Sequence, residues 1–238
     1  ALKELGYDGA IGRVWTYATL LADAERLARA LSTRHAEGAR VAVYANNMPE
    51  WLLLEYACGI AGITLVTVTP AYQKRELKYV LGQSSSEAIY YVDEFRGNPM
   101  GEIANAVCDE IPAIKRRILL TDSEALFAGE AQGELRNPKP SDPVQIQYTS
   151  GTTGFPKGAL LHHQGLVQNG YDYMVRNGVG PGDSFVHHMP MFHTTGCALL
   201  ALGGPGVGAT MLLAPMFDPD MIVRVIAREK AAFVRGVP

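Results

Sequence analysis

Between Arg40 and Thr121, short runs of β-branched and apolar residues alternate with helical patterns of apolar residues. Such alternation is typical of mostly parallel sheets, because each helix carries the chain back to begin the next strand in the same direction. We therefore predict an α/β fold with mostly parallel sheets flanked by helices, and we expect ligands beyond the carboxyl ends of the strands. The predicted strands are 40–45, 63–68, 87–92 and 117–121, and the predicted helices are 50–61, 73–81 and 98–110.

Further elements are predicted on both sides of this segment. Apolar residues recur at helical spacing from Tyr17 to about Leu31, which predicts an amphipathic helix. Residues 129–143 are rich in Gly, Glu, Asn and Pro and indicate a surface connection. Beyond it we predict strands at 144–148, 159–161, 184–188 and 209–214 and a helix at 194–202.

Composition excludes several classes of protein. The 238 residues carry 21 Lys and Arg against 24 Asp and Glu, and this balance argues against a nucleic-acid-binding surface. Three separated cysteines cannot form a closed disulfide framework and fit a reducing cytoplasm, and no signal pattern opens the chain. The uncharged stretch 184–217 is interrupted by Pro190 and by the glycines around Pro205, so we predict no membrane span.

A loop of small residues follows the strand predicted at 144–148. Its glycines let backbone amides approach phosphate oxygens, its hydroxyls donate hydrogen bonds, and its lysine adds a mobile positive charge. The P-loop pattern does not fit, since Pro156 precedes the lysine. The alternative is a Gly/Thr hairpin turn, for which about two or three residues would suffice. The candidate phosphate-binding residues are Thr149, Ser150, Gly151, Thr152, Thr153, Gly154 and Lys157.

The eleven residues from Tyr148 to Gly158 resemble the phosphate loop of the AMP-forming adenylating enzymes, the superfamily of acyl-CoA synthetases, luciferases and peptide-synthetase adenylation domains. Other segments are similar to that family as well, and within it the likeness is greatest to fatty-acyl-CoA synthetases. These segments are Trp15–Tyr17, Asn46 and Asn47 with Glu50–Trp51, Pro70–Tyr72 with Glu76, Leu77 and Tyr79, Phe217–Pro219 and Gly236–Pro238.

This resemblance implies a function and roles for particular residues. Residues 149–154 would wrap the β- and γ-phosphates of ATP, Thr149 would also reach Mg²⁺, and Lys157 would lie near the phosphates. The reaction would convert a fatty acid and ATP to an acyl-adenylate and pyrophosphate, and then transfer the acyl group to CoA. Two alternatives stay open: adenylation of an aryl or other carboxylic acid, and a non-catalytic nucleotide-binding module.

The segment 189–196 contains the second candidate site. In the resembling family, a histidine or aromatic residue at the position of His193 lies beside the acyl carboxylate, and Thr194, Thr195 and Gly196 would line the acyl pocket. A donor there would hold the carboxylate in line with the α-phosphorus of ATP. The structural alternative is that His193 caps the helix predicted after it.

Two other patterns are weaker. His188, His193 and Cys197 suggest a zinc site, but no carboxylate or second cysteine stands nearby to complete four ligands. Residues 204–209 fit the loose dinucleotide fingerprint G-x-G-x-x-[GA]. We interpret that match as accidental, because a strand rather than a helix is predicted to follow it.

The resemblance also implies how the chain is divided. We expect residues 1–238 to be part of the N-terminal AMP-binding domain, with residues 40–176 forming one sheet subdomain. Residues 1–37 and 184–238 would belong to a second subdomain. The family's adenine- and ribose-binding segments and its C-terminal domain are expected to be absent. We therefore expect the fragment to be inactive by itself and to self-associate through exposed apolar faces.

Overall fold

The structure is a computed structural model that describes residues 1–149 and 156–236. Contacts between Cα atoms divide the chain into two compact units. Unit 1 comprises Ala1–Asp23, Asn47–Leu52 and Gln164–Pro238, and unit 2 comprises Ala24–Asn46 and Leu53–His163. Each unit contains one β-sheet, so the predicted α/β fold with mostly parallel sheets and flanking helices is confirmed.

The sheet of unit 2 has six strands in the order β6-β5-β3-β4-β7-β8. Neighbouring strands are parallel except for β7 and β8, which form an antiparallel pair. All five residues of β4 are buried, as expected for a central parallel strand covered on both faces. The strands are β3 Arg40–Tyr44, β4 Thr64–Val68, β5 Ala88–Tyr91, β6 Arg116–Leu119, β7 Pro143–Thr149 and β8 Lys157–His162.

Five helices precede β7, and those predicted from the sequence are confirmed to within a few residues at each end. The first continues beyond the predicted end at Leu31 to Arg34. Pro49 begins the second, where its missing N–H leaves no helical hydrogen bond unmade. The helices are α1 Tyr17–Arg34, α2 Pro49–Ile60, α3 Lys74–Ser84, α4 Met100–Cys108 and α5 Ser123–Phe127, and the last was not predicted.

The predicted connection at 129–143 contains no helix or strand before β7 begins at Pro143. It is nevertheless fastened to the rest of unit 2 by Arg136. Its guanidinium donates to the carbonyl oxygens of Ala61 at 2.8 Å, Ser32 at 3.1 Å and His35 at 2.7 Å. Ser32 and His35 lie at the end of α1 and Ala61 directly follows α2, so one side chain caps two helices.

The sheet of unit 1 has five strands in the order β11-β9-β10-β1-β2. An antiparallel hairpin of β1 and β2 joins it through a parallel pairing of β1 with β10. Neither hairpin strand was predicted, because residues 1–15 lack a long apolar run that alternates with polar residues. The strands are β1 Leu2–Leu5, β2 Ile11–Trp15, β9 Ser184–His187, β10 Thr210–Leu213 and β11 Phe233–Val234.

The helices of the second half are α6 His163–Arg176, a π-helix Thr195–Leu202, α7 Gly203–Gly206 and α8 Pro219–Glu229. The helix predicted at 194–202 therefore exists with π-type winding over Thr195–Leu202, a rare form that is frequent at functional sites. Two backbones approach closely at Gly170 and Gly203, where a Cβ on either residue would lie 2.5 Å from a carbonyl oxygen. The short helix α7 is followed by strand β10, in agreement with our reading of the 204–209 fingerprint as accidental.

No helix within the described part of the chain is long and apolar enough to cross a bilayer. The uncharged stretch 184–217 folds as β9, the π-helix, α7 and β10.

Candidate functional site

The two ends of the candidate phosphate loop are held together by the β7–β8 hairpin. In this ladder Thr149 is paired with Lys157, and Tyr148 is paired with Gly158. Both Thr149 and Lys157 are exposed, at the carboxyl end of β7. The structure therefore brings together the first and last of the residues predicted to bind phosphate. The others, Ser150 to Gly154, lie outside the described residues.

Tyrosines fasten the base of this loop to helix α3. Tyr148 donates a hydrogen bond to Oε1 of Gln83 and lies 3.3 Å from the carbonyl oxygen of Val80. Burial raises the pKa of Tyr148 to about 12, so its phenol keeps the proton that it donates. Tyr79 donates to the carbonyl oxygen of Pro156 at 3.0 Å. The loop thus leaves the sheet and returns to it at fixed points.

Side chains pack closely over Gly158, where the loop returns to the sheet. A Cβ on Gly158 would lie 2.9 Å from Cγ2 of Ile146 and 3.2 Å from Cζ of Tyr148. The second distance means that the Tyr148 ring covers this position. The absence of a side chain at Gly158 therefore allows β8 to begin directly beside β7. A strand rather than a helix was predicted after the loop, and β8 is that strand.

Glu55 lies beneath the same strand in the core of unit 2. Its Oε1 accepts a hydrogen bond from Nε2 of Gln145 at 3.1 Å, and Oε1 of Gln145 accepts one from Nε2 of Gln147 at 3.1 Å. Burial raises the pKa of Glu55 well above its ordinary value. Because side chains alternate along a strand, Gln145, Gln147 and Thr149 share one face of β7.

The second candidate site, at residues 189–196, lies in unit 1 between β9 and the π-helix. A series of tight turns surrounds His193: its N–H donates to Pro190 at 3.1 Å, and its carbonyl oxygen accepts from the N–H groups of Gly196 and Cys197 at 2.8 and 3.1 Å. Its ring atom Nδ1 accepts from the N–H of Thr195 at 3.3 Å. Neutral His193 consequently carries its proton on Nε2.

The predicted pocket residues adjoin one another here. His193 is exposed, Thr194 and Thr195 are partly buried, and Gly196 is buried. The bond from Thr195 to Nδ1 means that the His193 ring does help to cap the helix, as the structural alternative expects. It leaves Nε2–H as the donor of the ring, so the capping contact and a contact with a carboxylate are compatible.

The zinc alternative involves His188, His193 and Cys197. In the described ranges 1–149 and 156–236, no three His, Cys, Asp or Glu side chains are grouped so that they could hold a metal ion. The thiol of Cys197 instead lies 3.3 Å from the carbonyl oxygen of His193. The ring of His188 packs against Phe217, with 5.1 Å between ring centroids.

Two buried polar residues that sequence reasoning did not connect with this segment contact its backbone. Asn47 accepts a hydrogen bond from the N–H of Met191 at 2.9 Å and donates to the carbonyl oxygen of Met189 at 3.0 Å. His187 lies 3.0 Å from the carbonyl oxygen of Gly196 through Nε2. Asn47 stands out in the sequence only as part of a segment that is similar to the resembling family, and no signal links it to a residue 142 positions away.

The known proteins to which this chain is similar include acyl-CoA synthetases and ligases. The chain is 32% identical over 230 residues to a putative acyl-CoA synthetase, YngI, of Bacillus subtilis (strain 168), across 85% of this chain and 42% of that protein. It is 30% identical over 261 residues to the mitochondrial medium-chain acyl-CoA ligase ACSF2 of Macaca fascicularis, across 94% of this chain and 42% of that protein.

Among solved structures, ATP-bound MatB from Rhodopseudomonas palustris matches with a TM-score of 0.81 at 27% identity, across 99% of this chain and 46% of that chain. The chain therefore spans less than half the length of each of these three proteins. The family model described as AMP-binding enzyme matches residues 5–238. Because that match covers nearly the whole sequence, the chain belongs to the AMP-binding enzyme family.

Proposed function

We propose that this chain is part of an AMP-forming acid–CoA ligase that acts on a fatty acid. In the first step a carboxylate oxygen attacks the α-phosphorus of ATP, and the bond to pyrophosphate breaks to leave an acyl-adenylate. In the second step the CoA thiol attacks the acyl carbon, loses its proton, and releases AMP. The observation that carries the proposal is the pairing of Thr149 with Lys157 across the base of the phosphate loop.

Two of the described residues could bind the negatively charged phosphates of ATP. The Lys157 ammonium and the Thr149 hydroxyl are both exposed at one edge of the sheet, where a polyphosphate would meet a positive charge and a hydrogen-bond donor. Thr149 would also supply an oxygen to Mg²⁺, a cation that prefers oxygen ligands. In this proposal the loop residues Ser150, Gly151, Thr152, Thr153 and Gly154 contact the β- and γ-phosphates.

His193 would act on the other substrate. Its Nε2–H can donate to a carboxylate oxygen and hold the carboxylate for attack, and we assign Thr194, Thr195 and Gly196 to the lining of the acyl pocket. Similarity to a medium-chain acyl-CoA ligase supports a fatty acid rather than an aryl acid. CoA is the acyl acceptor in this assignment.

The organisation of the chain is part of the proposal. Residues 40–176 would form one sheet subdomain of the AMP-binding domain, and residues 1–37 and 184–238 would contribute to a second. The site of action would be the cytoplasm, in keeping with three buried free cysteines. Since the chain spans 42% of the length of its curated relatives, we propose that the 238 residues alone do not catalyse the reaction. We also propose that they self-associate.

The test is fatty-acid-dependent exchange of pyrophosphate into ATP, measured for the full-length protein that contains these residues and for the 238-residue chain. We expect exchange with the full-length protein, for fatty acids in preference to benzoate, and none above background with the 238 residues. Full-length protein that binds ATP with Mg²⁺ but exchanges no pyrophosphate with any acid would overturn the ligase proposal in favour of a nucleotide-binding module.

A further inference from the structure

His187 is the last residue of β9, and its side chain is fully buried. Its Nε2 lies 3.0 Å from the carbonyl oxygen of Gly196. A carbonyl oxygen only accepts, so Nε2 carries a hydrogen and donates it. Burial lowers the pKa of His187 to about 4, which keeps the imidazole neutral near pH 7. Its Nδ1 makes no hydrogen bond to another residue of the described chain.

The carbonyl that His187 contacts belongs to the first turn of the π-helix. The backbone there packs without spare room, since a Cβ on Gly196 would lie 2.2 Å from the carbonyl oxygen of Pro190. The N–H of Gly196 donates to the carbonyl oxygen of His193 at 2.8 Å. A displacement of Gly196 would therefore also displace the backbone of His193.

Asn47 holds the opposite end of the same segment. Its amide donates to the carbonyl oxygens of Met189 and Ala214 at 3.0 and 3.3 Å, and its Oδ1 accepts from the N–H of Met191 at 2.9 Å. The segment from Met189 to Gly196 is thus held at its beginning by one buried side chain and at its end by another.

We propose that His187 is a positioning residue for His193, acting through the hydrogen bond from its Nε2 to the Gly196 carbonyl oxygen. This inference rests on the proposed function, in which Nε2 of His193 binds the carboxylate. His187 does not touch substrate in this account. It fixes the turn that sets the position and the tautomer of the His193 ring, and a misplacement of about 1 Å would cost catalysis heavily.

Two substitutions separate this role from a purely structural one. His187→Gln places an amide nitrogen near the position of Nε2 and keeps a donor to Gly196, whereas His187→Leu keeps apolar packing and leaves that carbonyl without the donor. In the full-length protein we expect His187→Leu to lower kcat/KM for the fatty acid about 10- to 100-fold, with KM for ATP roughly unchanged. His187→Gln should recover most of the loss. His162→Leu, the loss of an exposed histidine in β8, is the matched control.

A second measurement does not depend on turnover. The ¹⁵N shifts of the His193 imidazole report which ring nitrogen carries the proton, and they can be recorded on the folded protein without substrates. We expect the Nε2–H tautomer in the unsubstituted protein and in His187→Gln, and tautomer averaging in His187→Leu.

Equal losses for the fatty acid and for ATP in His187→Leu, without recovery in His187→Gln, would overturn the positioning role. An unchanged His193 tautomer in a folded His187→Leu variant would overturn it as well. Full-length protein that is inactive with every acid, but whose tautomer responds as expected, would refute the proposed function and leave the positioning of His193 supported.

Discussion

Gln145 donates a hydrogen bond from Nε2 to Oε1 of Glu55 over 3.1 Å, and both side chains are buried in unit 2. The second carboxyl oxygen of Glu55, Oε2, has no hydrogen-bond partner among the described residues. A carboxylate in that position would be a buried charge with one neutral partner. Burial therefore disfavours the charged form of Glu55 and raises its pKa well above its ordinary value.

This pairing makes the stability of the protein depend on pH. Because the folded state keeps the Glu55 proton at a pH where the unfolded chain has lost it, the free energy of unfolding should fall as pH rises above the ordinary carboxyl pKa. The contribution is at most about 1.4 kcal/mol per pH unit within that window. Glu55→Gln removes the titration, so the variant should be the more stable protein at pH 8 and should lose this advantage near pH 4.

Urea unfolding at several pH values measures this difference. Exposed Glu134→Gln is the control, and its stability should follow that of the unsubstituted protein at every pH. A Glu55→Gln profile parallel to that of the unsubstituted protein would show that Glu55 ionises in the folded state.

Arg136→Ala should destabilise the protein more than an ordinary surface substitution does. The guanidinium donates to carbonyl oxygens at the ends of α1 and α2, which would be left without these donors. We expect a loss of about 2 to 4 kcal/mol in the free energy of unfolding, from several charge-assisted hydrogen bonds that do not add fully. Thermal and urea unfolding would measure it, with exposed Arg75→Ala in α3 as the control. Equal stability of the two variants would contradict the capping role.

Lys157→Ala should weaken the use of ATP without disturbing the fold. The side chain is exposed, and the pairing of Lys157 with Thr149 belongs to the backbone, so the β7–β8 hairpin survives truncation. In the full-length protein we expect kcat/KM for ATP to fall roughly 100- to 1,000-fold, the range for removal of one charge-stabilising donor. Pyrophosphate exchange measures this, with exposed Lys139→Ala as the control. Unchanged exchange in Lys157→Ala would remove Lys157 from the mechanism.

His193→Ala should affect the acid rather than the nucleotide. The substitution removes the Nε2–H donor, while the turns around residue 193 are made by backbone groups and persist. We expect adenylate formation to fall by about 10- to 100-fold with nearly normal ATP affinity. Adenylate formation and calorimetric titration with ATP and Mg²⁺ distinguish the two effects. If both fall equally, or if circular dichroism shows a collapsed fold, the capping role of His193 is the correct one.

Much of the fold could be predicted because its signals are local. The spacing of apolar residues from Arg40 to Thr121 indicates which segments form helices and which form strands. The observed strands and helices agree with it. The candidate phosphate loop could be proposed for the same reason, since the chemistry of a polyphosphate site is carried by consecutive residues, and its binding role stays a prediction. The β1–β2 hairpin and α5 have short or weak patterns, and their formation depends on neighbours that are distant in sequence.

The sequence by itself determined the α/β class, the alternation of strands and helices between Arg40 and Thr121, and the residues available to the loop and to the histidine segment. Only the tertiary structure decided which distant side chains hold those residues. Asn47 reaches Met191, His187 reaches Gly196 and Arg136 reaches Ala61 through single hydrogen bonds made by isolated polar residues. Such contacts leave no periodic trace in a sequence. They exist because folding buries each polar group beside a backbone atom that would otherwise lack a partner.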